Sequence, residues 1–120
     1  MNGQRWVQVT RCENVPLREG RAVTLAGREI AIFNLGDRFL ATDNRCPHQG
    51  GPLCDGIVAG DSVVCPLHAW KVRLDSGVVE RPVSSDACIG TYPTRVEEGM
   101  VWLELPASLL TNASTEGHAA

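Results

Sequence analysis

Two short segments of this chain could do chemistry together: Cys46-Pro47-His48 and Cys65-Pro66-Leu67-His68. Each offers one thiolate and one imidazole, and sixteen residues separate His48 from Cys65. A mixed pair presented twice is what a two-iron, two-sulfide centre needs when two imidazoles replace two thiolates on one of its irons. The ligand spacing therefore predicts an electron-carrying protein with one [2Fe–2S] cluster.

The charge balance explains the use of imidazole. Two ferric ions and two sulfides sum to about +2; four thiolates bring that to about −2, whereas two thiolates and two neutral imidazoles give about zero. An electron enters a neutral site more easily than a dianion. Such centres accordingly sit at roughly −150 to +300 mV, against about −400 mV for all-thiolate plant-type clusters. Cys46 and Cys65 are expected on the buried iron, and His48 and His68 on the outer one. Pro47 and Pro66 fix backbone angles inside the ligand loops and reduce the entropy lost on ordering them. Gly50 and Gly51 let the backbone come close enough for amide N–H groups to face cluster sulfurs. Trp70 reads equally as core packing or as a shield of one flank from water. Zinc takes the same four ligands. Zinc fingers, however, usually pair Cys with Cys and His with His, so the mixed pairs favour the cluster.

The elements that must position these residues read as strands. Arg5–Val9, Arg21–Leu25, Glu29–Leu35, Arg38–Thr42, Ser62–Cys65, Lys71–Leu74, Tyr92–Glu97 and Met100–Leu105 are short and rich in branched and aromatic residues. Turn chemistry separates them at Ala26-Gly27, Gly36-Asp37, Gly60-Asp61, Ser76-Gly77 and Glu98-Gly99. Pro at 16, 47, 52, 66, 82, 93 and 106 interrupts the chain too often for a long helix. The expectation is an all-β domain over residues 1–106, an antiparallel sandwich or barrel. A small cluster-binding subdomain, about Asn44 to Leu74, is inserted into it. The Ala-, Ser- and Thr-rich stretch Ala107–Ala120 is expected to be a flexible tail with a short helical turn at Ala107–Leu110.

Composition bounds the function. The 120 residues suffice for one core, and 43% hydrophobic with 21% charged residues is ordinary for a globular chain. A net charge of −3 without a basic cluster argues against nucleic acid or an anionic membrane as partner. With neither a signal peptide nor a run of transmembrane length, the expected location is the cytoplasm. Five cysteines, an odd number, do not suggest a disulfide framework. Cys12, Cys54 and Cys88 read as free thiols and His118 as part of the tail. Trp6 and Trp102 read as core or scaffold packing, and Asp43 and Arg45 as a solvated rim beside the first ligand loop or as a partner contact.

The segments Cys46-Pro47-His48-Gln49-Gly50-Gly51-Pro52-Leu53 and Cys65-Pro66-Leu67-His68-Ala69-Trp70 resemble the Rieske iron–sulfur domain, a likeness that extends over about residues 5–105. More narrowly, three stretches resemble the small subunit of assimilatory NAD(P)H-dependent nitrite reductase: Ile30-Ala31-Ile32-Phe33, Asp55-Gly56-Ile57-Val58, and Cys88 through Val96. Rieske proteins of respiratory bc complexes have an extra cysteine in each ligand loop and a serine after the second histidine. Here Gly51, Leu67 and Ala69 or Trp70 stand at those places. The resemblance implies a soluble, low-potential carrier with Cys46, His48, Cys65 and His68 as cluster ligands. Its implied partner is a large nitrite reductase subunit holding FAD, a [4Fe–4S] cluster and sirohaem, which reduces nitrite to ammonium. The alternative implied role is a Rieske-type ferredoxin serving a ring-hydroxylating oxygenase and its reductase. In either role this chain is not catalytic alone, since it shows no nucleotide fingerprint and no nucleophile–base pair.

Overall fold

In the computed structural model, residues 4–46, 51–67, 69–82 and 87–106 are described. The expected tail, with its helical turn and His118, lies outside them, as do His48, Gly50 and His68.

The described residues form strands and two 3-10 turns, Cys12–Asn14 and Leu53–Asp55, and no α-helix. The strands are β1 (Gln4–Arg11), β2 (Gly20–Leu25), β3 (Arg28–Asn34), β4 (Phe39–Asp43), β5 (Ile57–Ala59), β6 (Ser62–Val64), β7 (Lys71–Arg73), β8 (Val79–Arg81), β9 (Thr91–Tyr92), β10 (Thr94–Glu97) and β11 (Met100–Pro106). They make three antiparallel sheets, ordered β1-β11-β10, β2-β3-β4-β9 and β5-β6-β7-β8. The all-β antiparallel expectation holds.

β3 shows why the sheets stack. Ile30, Ala31, Ile32 and Phe33 are all fully buried, although side chains alternate between the faces of a strand. Ile30 and Ile32 join Val15, Ala41, Tyr92, Val101, Leu103 and Leu105 in one core cluster. Ala31 and Phe33 join a second, with Leu53, Val63, Val72, Leu74, Cys46 and Cys65. One strand thus supplies both cores, so its apolar run is continuous. Burying a side chain the size of Phe33 or Ile32 is worth about 1.5–3 kcal/mol.

The structure differs from the strand reading in two places. The expected strand Tyr92–Glu97 is two strands split at Pro93. β9 pairs with β4 in the second sheet and β10 with β11 in the first, so the chain changes sheets at the residue that has no N–H to donate. β5 and β8 are additional to the expected strands; they complete the sheet whose strand β6 leads into Cys65.

Candidate metal centre

Cys46 and Cys65 are buried, with 4% and 2% of their surfaces exposed, and belong to the same core cluster. None of the five cysteines forms a disulfide. The two sulfur ligands expected on the inner iron are therefore brought into one apolar region as thiols. His48 and His68, the expected outer ligands, lie outside the described residues. Among the described residues no group of three or more His, Cys, Asp and Glu side chains is placed to hold a metal.

Each cysteine sits on a loop whose closure is hydrogen bonded. Beyond β4, the Cys46 N–H donates to the Gly51 carbonyl at 2.8 Å, drawing the return limb of the first loop back to the cysteine. Beyond β6, the Cys65 N–H donates to the Trp70 carbonyl at 2.7 Å, and the Ala69 N–H donates to the Cys65 carbonyl at 3.1 Å. The second loop is thus the tip of the β6–β7 hairpin, and Ala69 turns it with a left-handed φ of 60°. Trp70 is partly buried and packs on the core cluster that contains both cysteines.

The two loops touch. A Cβ built on Gly51 would lie 2.7 Å from Leu67 Cδ1 and 3.4 Å from Cys65 Sγ. Glycine at this position keeps the first loop's backbone close to the second loop's sulfur, the close approach expected of it. A buried, uncrosslinked cysteine pair, both loops clasped by backbone bonds, and a bare glycine beside one sulfur fit the thiolate half of an iron–sulfur site.

Asp43 is not a solvated rim. The Gly90 N–H and the Tyr92 hydroxyl donate to its Oδ2 and Oδ1 at 3.0 and 2.5 Å, and Arg28 Nη1 lies 3.7 Å from Oδ1. Its own N–H donates to the Gly90 carbonyl at 2.9 Å. Burial and then the bond to Asp43 push the Tyr92 hydroxyl up to about 12. Arg45, by contrast, is exposed. Next to Asp43, Asn44 is buried; its Oδ1 accepts the Cys54 N–H at 2.7 Å, a role that sequence reading missed. Burial raises the Cys54 thiol, with the Asn44 amide pulling it back.

Of the two readings of Trp6 and Trp102, core or scaffold, the structure gives the second. Trp6 and Trp102 are only partly buried and flank the Arg95 guanidinium, 4.5 and 5.8 Å from the two ring centroids. They form a cation–π stack on the first sheet instead of filling either core. On the third sheet, Ser62 donates to Glu80 at 2.5 Å, and this bond holds the Glu80 carboxyl below its usual range, aided by Lys71 and Arg73.

A family model, the Rieske [2Fe–2S] domain, matches residues 5–93. The chain belongs to the Rieske [2Fe–2S] domain family. Membership implies the cluster that the buried cysteine pair fits. The chain is 30% identical over 103 residues to the ferredoxin component of the naphthalene 1,2-dioxygenase/salicylate 5-hydroxylase systems of Ralstonia sp., covering 85% of this chain and 97% of that one. It is 34% identical over 97 residues to the 3-phenylpropionate/cinnamic acid dioxygenase ferredoxin subunit of Shigella flexneri, covering 79% and 91%. Among solved structures, a protein assigned as the small subunit of an NADH-dependent nitrite reductase from Mycobacterium tuberculosis superposes with a TM-score of 0.76. Its identity is 26%, with 85% of this chain and 96% of that chain covered. This Rieske protein has, among its described residues, no helix long and apolar enough to cross a membrane.

Proposed function

We propose that this Rieske protein is a ferredoxin that delivers electrons singly to a ring-hydroxylating oxygenase, receiving them from a separate reductase. The carrying observation is the match, at 30% and 34% identity, to oxygenase ferredoxin components almost end to end. Cys46 and Cys65 hold the inner iron, and His48 and His68 hold the outer iron. When bound, the cluster takes up and releases one electron at a time. The chain's own residues bury the thiolates and hold the loops. Pro52, Pro66, Leu67 and Ala69 are exposed on those loops and are available to a partner surface.

Two of the stretches that resemble the nitrite reductase subunit have structural work within this scaffold. Ile30–Phe33 fills both cores, and Gly90 and Tyr92 hold Asp43 at the base of the first loop. They therefore discriminate weakly between partners.

The second reading, the small subunit of an NAD(P)H-dependent nitrite reductase, is favoured by the superposition on the Mycobacterium tuberculosis protein. Reconstitution separates the two. The holoprotein should support turnover of a ring-hydroxylating oxygenase when mixed with a ferredoxin reductase and NADH. Failure there, together with stable co-purification with a flavo-sirohaem subunit in the native host, would give the second reading the place of the first.

A further inference from the structure

We infer that Asn44 is a positioning residue for the cluster, a clasp that joins both ends of the first ligand loop to the central sheet. The loop leaves β4 at Asp43 and returns at the 3-10 turn Leu53–Asp55, with Cys46 between. Asn44 stands at the exit, 2% exposed. Its Oδ1 accepts the Cys54 N–H at 2.7 Å, so one side chain ties residue 44 to residue 54. Its Nδ2 donates to Glu29 Oε1 at 3.1 Å, and its backbone N–H donates to the Glu29 carbonyl at 3.1 Å. Glu29 belongs to β3, the strand that supplies both cores, so the clasp is anchored to a strand buried on both faces.

The donor and acceptor pattern is complete. The amide carbonyl takes an N–H from the returning limb, and the amide NH2 gives a hydrogen to a carboxylate. No aliphatic residue does either, and an aspartate does only the first. Inside the clasp, the Cys46–Gly51 backbone bond forms a second, narrower rung. Without the outer rung, the two limbs of the loop lose their side-chain tie, and the bonds that remain nearest Cys46 are this rung and the Asn44 N–H to the Glu29 carbonyl. Loop opening then exposes the ligand set to water and chelators.

The inference rests on Cys46 and Cys65 being ligands, and not on which protein accepts the electron. It predicts the rate at which the cluster is lost. In holoprotein challenged with a ferrous chelator, the visible absorption of Asn44→Ala should bleach at least about tenfold faster than wild type, since the variant loses two side-chain hydrogen bonds, one of them to a carboxylate. Hydrogen exchange of a peptide spanning 44–56 should quicken with it. The polarity-swapped double variant Asn44→Asp with Glu29→Gln provides the rescue. The carboxylate introduced at position 44 can still accept from the Cys54 N–H, and the amide introduced at position 29 can donate to that carboxylate. Net charge is unchanged, so most of the wild-type lifetime should return.

A wild-type bleaching rate in Asn44→Ala, or a swap that rescues nothing, would overturn the clasp. If Asn44→Ala does not fold, Glu29→Ala and Glu29→Gln still decide. Only the Ala variant removes the acceptor, so it alone should bleach faster; equal lifetimes would sink the idea. Cys46→Ser distinguishes this from the ligand assignment: if that variant keeps its colour, the assignment fails, whereas colourless Cys46→Ser beside unaltered Asn44 variants removes the clasp alone.

Discussion

Tyr92 donates its hydroxyl hydrogen to Asp43 Oδ1 at 2.5 Å, joining the strand that launches the first ligand loop to a strand 49 residues later. The bond pins the residue from which the loop departs, ahead of Cys46. Asp43 and Tyr92 are also near register neighbours, since Ala41 pairs with Tyr92 and Thr42 with Thr91.

Tyr92→Phe removes this bond and leaves Asp43 with the Gly90 N–H and the more distant Arg28. A hydrogen bond to a charged group is worth about 1.5–3 kcal/mol, and Asp43 is partly solvated, so about 1.5 kcal/mol of stability should be lost. Urea denaturation of the two proteins measures it.

The same bond sets a pH dependence. Folding raises the Tyr92 hydroxyl from about 10 to about 12, so the folded state favours the protonated form. The stabilisation is complete below the ordinary tyrosine value and is lost as pH rises from about 10 towards 12. The stability difference between wild type and Tyr92→Phe should therefore shrink across that window. A constant difference up to about pH 12 would show that folding does not raise the hydroxyl above its ordinary value.

Gly77 tests the scaffold away from the metal. Its φ is +77°, and an added Cβ would come 2.1 Å from the Ile89 carbonyl oxygen, a backbone atom that cannot swing aside. The Ile89 N–H donates to the Gly77 carbonyl at 2.9 Å, so relaxing the clash also breaks a bond. The left-handed conformation alone costs a non-glycine residue about 1–2 kcal/mol. Gly77→Ala should lose at least about 2 kcal/mol by urea denaturation, while alanine at Gly60, also left-handed but with nothing within 4 Å, should lose only the conformational part.

Local pattern discloses some of this and not the rest. The run Ile30–Phe33 and the paired branched residues Val63 and Val72 announce strands because burial leaves its mark on adjacent residues. Turn residues such as Ala26-Gly27 and Glu98-Gly99 are likewise local, and both take the left-handed angles that a tight hairpin needs. Three-residue strands carry too little alternation to be seen: Val79–Arg81 ends against Pro82, and Ile57–Ala59 has an exposed Ile57. Asp43 reads as a rim residue because two of its partners, Gly90 and Tyr92, lie 47 and 49 residues away. Asn44 escapes notice for a different reason: Asn beside a loop is unremarkable until its burial is known. The proposed cysteine ligands are picked out by residue type and spacing, and both lie in the buried core cluster.

Gly51 separates steric from chemical control of the site. Its added Cβ meets Leu67 Cδ1 first, the end of a half-exposed side chain that can move, and Cys65 Sγ at 3.4 Å second. Gly51→Ala should therefore lose the cluster only modestly faster than wild type, and Leu67→Ala should restore part of that loss. Gly51→Val adds two further methyl groups beside a sulfur that is fixed by its ligand loop, and should assemble little cluster. Iron and sulfide content per chain reports the result, with Gly51→Val at wild-type content as the outcome that contradicts the close approach.

Ligand identity is tested by charge. Cys46→Ser and Cys65→Ser remove the thiolates from the buried core cluster and should yield colourless protein, with poor folding of the metal-binding loops because metal binding and local folding are coupled. His48→Cys keeps a ligand but replaces a neutral imidazole by a thiolate. If a cluster still assembles, the added negative charge disfavours the incoming electron, and the midpoint potential should fall towards the all-thiolate range of about −400 mV. Cys54→Ser is the control: its thiol lies near the first loop but is raised by burial towards the neutral form, so the potential should hardly move. Protein-film voltammetry and EPR of the reduced proteins give both quantities. An unchanged potential in His48→Cys, with the cluster present, would mean that the imidazole is not on the iron.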